Sequence, residues 1–545
     1  MTLTSVSFFA FVFATLVVYY SIPKKFRWIV LLAASTAFYA IVCLKYMPFI
    51  VFTAITTWLG ALWLDKVTNA RKEELKLHKT EWDSDTKKAY KHKTLMNKRW
   101  ILTFVLVLNF GILAFIKYFD FLAEWISGLL HTPVLSLGIL LPLGISFYTF
   151  QSMGYIIDVY WGKTTPEKNF AKFALFVSFF PQIIQGPIAI YDDLAKQLYE
   201  GHDLQYENVK NGFILILWGL FKKMVIADRL IVILNAILDN RPGLYNYYGA
   251  IAILVYAAQL YMDFSGGIDI SRGVAQMLGI NMAENFKRPF FSRTVAGFWR
   301  RWHISLCHWL RTYLFYPIAV SKSFLHLGKW IGKHAKKTEE DLPADSLWGG
   351  FTFMEHAGRV IPGCIATLII FLIIGMWHGA NWRYAGYGLW NGIIIFISML
   401  LEPAFRYLLK KLKINTQSFG WIVWQILRTF LITMVGFAFD IGNNMSDSAR
   451  MVLDCFHPFG MASTVPVQLS IGLKTSDYVI IGIGLLIVFA VSLYQECSQK
   501  SARETLIKQP LWLQWVIMIG CLLCIVILGM YGPGVAANEF VYMNF

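Results

Sequence analysis

The sequence predicts an all-α integral membrane protein with about ten or eleven transmembrane helices plus partly embedded helices. Three observations carry this. Of the 545 residues 57% are hydrophobic and only 15% charged, with a mean hydropathy of +0.52. Apolar runs of the roughly 20 residues that cross a hydrocarbon core of about 30 Å recur throughout, with no large polar segment that could fold separately. Lys and Arg, which give a formal net charge of +16, cluster in short segments between those runs, as positive-inside topology requires. A single polytopic domain over residues 1–545 is therefore expected, with membrane lipid as its surroundings and no nucleic-acid partner.

The first run, Val6 to Tyr20, has no basic residue before it and Lys24, Lys25 and Arg27 after it, the reverse of a secretory signal. It reads as a retained helix with its amino end outside. Trp28 to Leu44 and Met47 to Leu64 return the chain to the cytoplasm, where the basic-rich stretch Asp65 to Arg99 reads as a solvated loop or a docking surface for an acidic partner. Trp100 to Lys117 and Leu135 to Tyr160 are the next crossings, the second bent by Pro142, Gly144 and Gly154.

Phe170 to Tyr191 carries FFPQIIQGPI, in which Pro181, Gly186 and Pro187 interrupt the helix around Gln182 and Gln185. It reads as a re-entrant turn, tolerated at membrane depth only against protein or a water-filled cavity, so Gln185 is a candidate lining residue. Asn211 to Asp228 and Ala250 to Phe264 follow, the latter running into YMDFSGGIDISRG. Gly266 and Gly267 suggest a helix break that leaves Asp263 and Asp269 partly buried, either structurally or to orient a substrate. Ser265 lacks the strand, turn and helix of a nucleophile elbow and is taken as lining the site, not attacking.

Phe298 to Tyr313, FWRRWHISLCHWLRTY, reads as one amphipathic helix. A period of 3.6 places Trp299, Trp302, Leu306, Trp309, Leu310 and Tyr313 on one arc, with Arg300, Arg301, Ser305, His308, Arg311 and Thr312 opposite and His303 at the edge of the apolar side. Ser321 to Gly350, with Lys333, Lys336 and Lys337 followed by Glu339, Glu340 and Asp341, reads as a loop. Val360 to Trp377, Tyr384 to Leu401, Gly420 to Phe439, Tyr478 to Tyr494 and Leu511 to Tyr531 complete the helices. The CxxC of Cys521 and Cys524 lies inside an apolar run and reads as packing. His303 and His308 form an HxxxxH with no further clustered ligand, so no metal site is expected.

The motif GMWHGAN ends an apolar run with His378 between glycines, and Gly375 and Gly379 would allow irregular backbone there. Ionisable residues at membrane depth are rare and usually functional. Histidine, with an ordinary pKa of about 6.5, suits a general base that deprotonates an alcohol attacking a thioester. The oxyanion that develops needs donors, for which His303, the Trp302 or Trp377 indole N–H, Asn381 and backbone N–H groups around Gly379 are candidates.

Taken together, DFSGGIDISRG, ENFKRPFFSRTVAGFWRRWHISLCHWLRTYLFYPI and GMWHGANW resemble the membrane-bound O-acyltransferase (MBOAT) family, over about Phe180 to Gly392, and within it the bacterial alginate O-acetyltransferase branch. The resemblance implies a ring of tilted helices with a central tunnel in a bacterial inner membrane. His378 would be the main catalytic histidine and His303 the second. The donor would be an acyl thioester, acetyl-CoA or an acyl carrier, with no bound cofactor. The acceptor would be a hydroxyl of a surface polysaccharide or of a secreted or membrane-anchored partner acyltransferase. Where many relatives have Arg-Asp-Tyr this chain has Arg311, Thr312 and Tyr313, so no ion pair is carried over there. D-alanyl transfer to teichoic acid and a non-enzymatic glycan or lipid transporter are the alternatives.

Overall fold

The apolar runs fold as helices because a backbone in hydrocarbon must satisfy its own N–H and C=O groups. The computed structural model describes residues 1–132, 137–138, 142–239, 245–333, 346–348, 350–455 and 471–531, and no strand occurs among them. Among the described residues seven helical stretches are long and apolar enough to cross a membrane. The number is eight if Trp382–Leu400 and Glu402–Lys411, bent by 59°, form one span. Shorter apolar helices such as Val6–Ser21, about 24 Å long at 1.5 Å per residue, make up the difference from the expected number, as does Lys24–Leu77, which holds two helices.

In chain order the helices are α1 (Val6–Ser21), α2 (Arg27–Cys43), α3 (Met47–Leu77), α4 (Ser84–Leu130), α5 (Ile145–Trp161), α6 (Phe170–Ser178), α7 (Phe180–Gln185), α8 (Tyr191–Tyr199) and α9 (Tyr206–Leu220). After a π-helical turn at Phe221–Ala227 come α10 (Asp228–Asp239), α11 (Tyr245–Met277), α12 (Val295–Trp299) and α13 (Ile304–Leu310). A second π-helical turn, Arg311–Phe315, leads to α14 (Tyr316–Ala319), α15 (Lys322–Lys333), α16 (Phe353–His378) and α17 (Trp382–Leu400). The last are α18 (Glu402–Lys411), α19 (Phe419–Ile441), α20 (Met445–Asp454), α21 (Thr475–Ser498), α22 (Ala502–Ile507) and α23 (Leu511–Leu528). The described residues form two compact units: those within Met1–Lys223, Phe264–Ala283 and 509–531 in the first, those within Met224–Asp263 and Glu284–Lys508 in the second.

In the first unit the expected loop Asp65 to Arg99 is mostly helix. α3 runs on to Leu77 and α4 begins at Ser84, capped by Asp83, whose Oδ1 accepts the Thr86 N–H at 3.1 Å. At the tip His78 stacks on Trp82 with 4.7 Å between rings. Pro142 and Gly144 precede α5 and do not bend it; Gly144, at φ 68, is its N-cap, and a Cβ there would lie 2.4 Å from the Ile183 carbonyl. The expected span from Leu135 falls partly outside the described residues. Pro181 sits in the first turn of α7, where its missing N–H costs nothing, so the helix interruption lies at Phe179 and at Gly186.

The glycines of YMDFSGGIDISRG do not break a helix, because α11 passes through them. They permit close approach. A Cβ on Gly219 would sit 2.5 Å from the Gly266 carbonyl oxygen, and one on Gly212 2.5 Å from that of Gly273.

In the second unit α16 lies along α17, and small residues again set the distance. A Cβ on Gly375 would be 2.1 Å from the Tyr384 carbonyl oxygen, and one on Gly388 2.2 Å from that of Phe371. Gly375 therefore serves helix packing inside a regular helix, contrary to the irregular backbone expected there. The stretch read as a loop from Ser321 begins as helix α15, amphipathic over Lys322–Lys333; Lys336, Lys337, Glu339, Glu340 and Asp341 lie outside the described residues.

Candidate functional site

The expected continuous helix Phe298 to Tyr313 is broken. α12 ends at Trp299, α13 starts at Ile304, and His303 between them is a left-handed residue, φ 44 and ψ 54. The apolar arc is nevertheless buried, Trp299, Trp302, Leu306, Trp309, Leu310 and Tyr313 alike. Trp302 packs among Phe286 (5.0 Å), Phe298 (5.4 Å) and Phe437 (5.9 Å), which places it in an aromatic core. Ser305, assigned to the polar side, is buried too, because its N–H and Oγ both donate to Asn285 Oδ1 at 2.9 Å.

Asn285 fixes the state of His303. A backbone N–H bound to its side-chain oxygen identifies that oxygen as Oδ1, an acceptor only. His303 Nδ1, 3.3 Å away, must then carry a proton and donate, leaving Nε2 as the lone-pair atom. Burial, and after it the charge of nearby His378, push the His303 pKa down to about 3, so the ring is neutral at pH 7.

His378 is the last residue of α16, and its imidazole is buried among aromatic rings: Tyr387 at 5.0 Å, Trp377 at 5.5 Å and Tyr384 at 6.2 Å. Its Nδ1 lies 3.4 Å from Asp440 Oδ1, with both side chains under 5% exposed. Asp440, near the end of α19, also accepts from the Tyr256 hydroxyl at 3.3 Å. Trp377 joins the two histidines, since its ring is also 6.0 Å from that of His303. Behind them Trp299 Nε1 donates to Asn391 Oδ1 at 3.1 Å, and Asn391 Nδ2 donates to the Tyr387 carbonyl at 3.0 Å, so α12 and α17 share one polar tie.

The other predicted residues divide. Asp263 is fully buried on α11, two turns beyond Tyr256, and Gln259 lies between them on the same face. Asn381 caps α17: its Oδ1 accepts the Arg383 N–H at 3.0 Å and its Nδ2 reaches the Asn443 carbonyl at 3.5 Å. The Gly379 N–H is bound to the Met376 carbonyl at 3.2 Å. Ser265 and Gln185 belong to the first unit. Ser265 Oγ accepts from Lys222 Nζ at 2.8 Å, and Lys222 also pairs with Asp269 at 2.7 Å, with Arg272 3.6 Å from the same carboxylate. Gln185 is fully buried at the end of α7, one turn after Gln182, which donates to Gln151 Oε1 and to the Pro187 carbonyl.

Sequence reasoning missed Asp440, Tyr256, Tyr384, Tyr387, Asn285 and Asn391. Asp440 carried a signal. It is the only acidic residue in α19, at the end of an apolar run, the same anomaly that singled out His378.

A profile described as MBOAT, membrane-bound O-acyltransferase family, matches residues 167–331. The chain is 31% identical over 454 residues to a probable alginate O-acetylase, AlgI, of Pseudomonas putida, covering 82% of this chain and 78% of that protein. It is 28% identical to a peptidoglycan O-acetyltransferase of Helicobacter pylori, over 70% of this chain and 65% of the other. It is also 28% identical to a teichoic acid D-alanyltransferase of Bacillus subtilis, over 46% and 58%.

Proposed function

Because this chain belongs to the membrane-bound O-acyltransferase family and is a multi-pass O-acyltransferase, we propose that it moves an acetyl group from a cytoplasmic thioester to a hydroxyl of a surface polysaccharide or of a partner acyltransferase. The observation that supports this reading is the buried His378–Asp440 pair, with Trp377 touching both imidazoles. Asp440 beside Nδ1 keeps the His378 proton on that atom and leaves Nε2 as the base. His378 Nε2 takes the proton of the acceptor hydroxyl as its oxygen attacks the thioester carbonyl. The C–S bond then breaks, and the departing thiolate takes the proton back from His378 as a thiol. Asp440 stabilises the imidazolium in between.

His303, with its proton on Nδ1, offers the lone pair of Nε2 to the incoming hydroxyl and no proton there for an oxyanion. Trp377 is a candidate oxyanion donor, because its indole carries an N–H on a ring in contact with both histidines. Asn381 and the Gly379 N–H are held by helix-end contacts. The Tyr256, Gln259 and Asp263 face of α11 extends the polar lining beyond Asp440. We place the amino terminus outside, the α3 and α4 extensions in the cytoplasm, the protein in a bacterial inner membrane, and the site in a tunnel reached from both faces.

A second donor has one specific observation in its favour. The α3 and α4 extensions carry Arg71, Lys72, Lys91 and His92 around a shallow open cleft, a basic surface for an acidic acyl carrier, as D-alanyl transfer would need.

The test is the ester-linked acyl content of surface polysaccharides in cells producing the wild-type chain or His378→Ala at equal membrane abundance. Loss of acetyl esters with unchanged glycan export supports the reading. Persisting esters overturn it, and D-alanyl esters in place of acetyl esters move it to the carrier-dependent alternative.

A further inference from the structure

The hinge that holds His303 is clamped from a distant helix. Residues 285–287 and 301–304 are tied by two backbone hydrogen bonds, Lys287 N–H to the Arg301 carbonyl at 2.9 Å and Ile304 N–H to the Asn285 carbonyl at 3.0 Å. In and directly beside this tie two non-glycine residues are left-handed, His303 at φ 44 and Arg288 at φ 50, a conformation that surrounding contacts must enforce. The enforcing group is Glu496, near the end of α21. Its Oε2 accepts from Arg288 Nε at 2.7 Å and from Arg301 Nη1 at 3.1 Å, and its Oε1 accepts from Arg301 Nη2 at 3.0 Å. Arg301 Nη1 also reaches the Arg288 carbonyl at 3.4 Å. All three side chains are at most 30% exposed, so water replaces the carboxylate poorly, and without it the two guanidinium groups repel each other across the hinge.

We infer that Glu496 is a positioning residue for acyl transfer: its carboxylate locks the Arg288–Arg301 hinge and thereby the Asn285–His303 hydrogen bond that sets the reactive face of His303. It touches neither substrate nor imidazole. The inference rests on the acyl-transfer reading for its kinetic consequence, while its structural consequence is independent of that reading.

The experiment uses the full chain in detergent, as wild type, Glu496→Gln, Glu496→Asp, Arg301→Gln and the Glu496→Gln/Arg301→Gln double variant. Hydrogen exchange followed by mass spectrometry reads the hinge, and thiol release from acetyl-CoA with a hydroxyl-bearing polysaccharide supplied as acceptor reads the chemistry. Glu496→Gln should speed exchange at Lys287 and Ile304 while α21 keeps its protection. It should lower kcat about 10- to 100-fold, the scale of a misplacement near 1 Å, with the KM for thioester within about twofold. Glu496→Asp should restore part of the rate, and the double variant should be no slower than the slower single one. Unchanged exchange at the hinge in Glu496→Gln overturns the clamp. Faster exchange with kcat unchanged overturns the positioning role, as do additive single effects. Failure of the wild-type chain to release thiol, with the hinge loosened as expected, overturns the acyl-transfer reading and leaves the clamp standing.

Discussion

Two buried polar clusters share the long helix α11 and are built on opposite principles. In the first unit Lys222 is paired at short range: its ammonium donates to Ser265 and Asp269 at 2.8 and 2.7 Å, and Arg272 flanks the same carboxylate. In the second unit Tyr256 brings α11 to Asp440, which stands 3.4 Å from His378, and His303 meets Asn285 at 3.3 Å. The first set has short bonds among fixed charges and ties the π-helical turn after α9 to α11, next to the paired glycines that let α9 approach α11. The second has longer contacts around two imidazoles, whose ring nitrogens the proposed mechanism uses. Burial of a charge therefore marks a site poorly. The chemistry and spacing of the partners discriminate better.

Breaking each cluster should separate the two roles. His378→Ala is expected to lower kcat for thiol release by about 10² to 10⁴, roughly 3 to 5 kcal/mol of barrier, with His378→Gln no better and the melting temperature little changed. Lys222→Met should do the converse: removing one partner of a buried ion pair costs about 3 to 5 kcal/mol of stability, seen as a lower melting temperature, while kcat per folded molecule stays within about twofold. A fall in kcat there with unchanged melting would erase the contrast.

A smaller effect concerns pH. The folded His303 pKa lies near 3, below its ordinary 6.5. Its neutral form therefore contributes stability that is complete above about pH 6.5 and is lost as pH falls toward 3. The melting temperature should drop across that window, and His303→Gln should drop less; equal slopes would show that the ring is not held neutral. Smallest of all, Tyr256→Phe removes one long hydrogen bond to Asp440, at 3.3 Å. It should slow thiol release by no more than about tenfold, equal to about 1.4 kcal/mol.

Much of this was legible before any coordinates. Hydropathy alone located most helices, and an ionisable residue at the end of an apolar run singled out His378 as a candidate. What escaped was non-local. The buried arc of Trp299, Trp302, Leu306, Trp309 and Tyr313 keeps its apolar pattern across a helix break, so periodicity could not report the turn at His303. That turn depends on Asn285 and, through Arg288 and Arg301, on Glu496 some 200 residues away. Gly266 suggested a break because its partner Gly219 lies on another helix. Asp440 was visible as an anomaly but had no motif to attach it to His378.

The most direct test of the account is the rate of thiol release by Asp440→Asn at equal amounts of folded protein. If Asp440 holds the His378 proton on Nδ1 and stabilises the imidazolium, the amide variant melts within a few degrees of wild type yet loses about 10² to 10⁴ in kcat. Wild-type turnover in Asp440→Asn would contradict the His378–Asp440 pair as the catalytic unit.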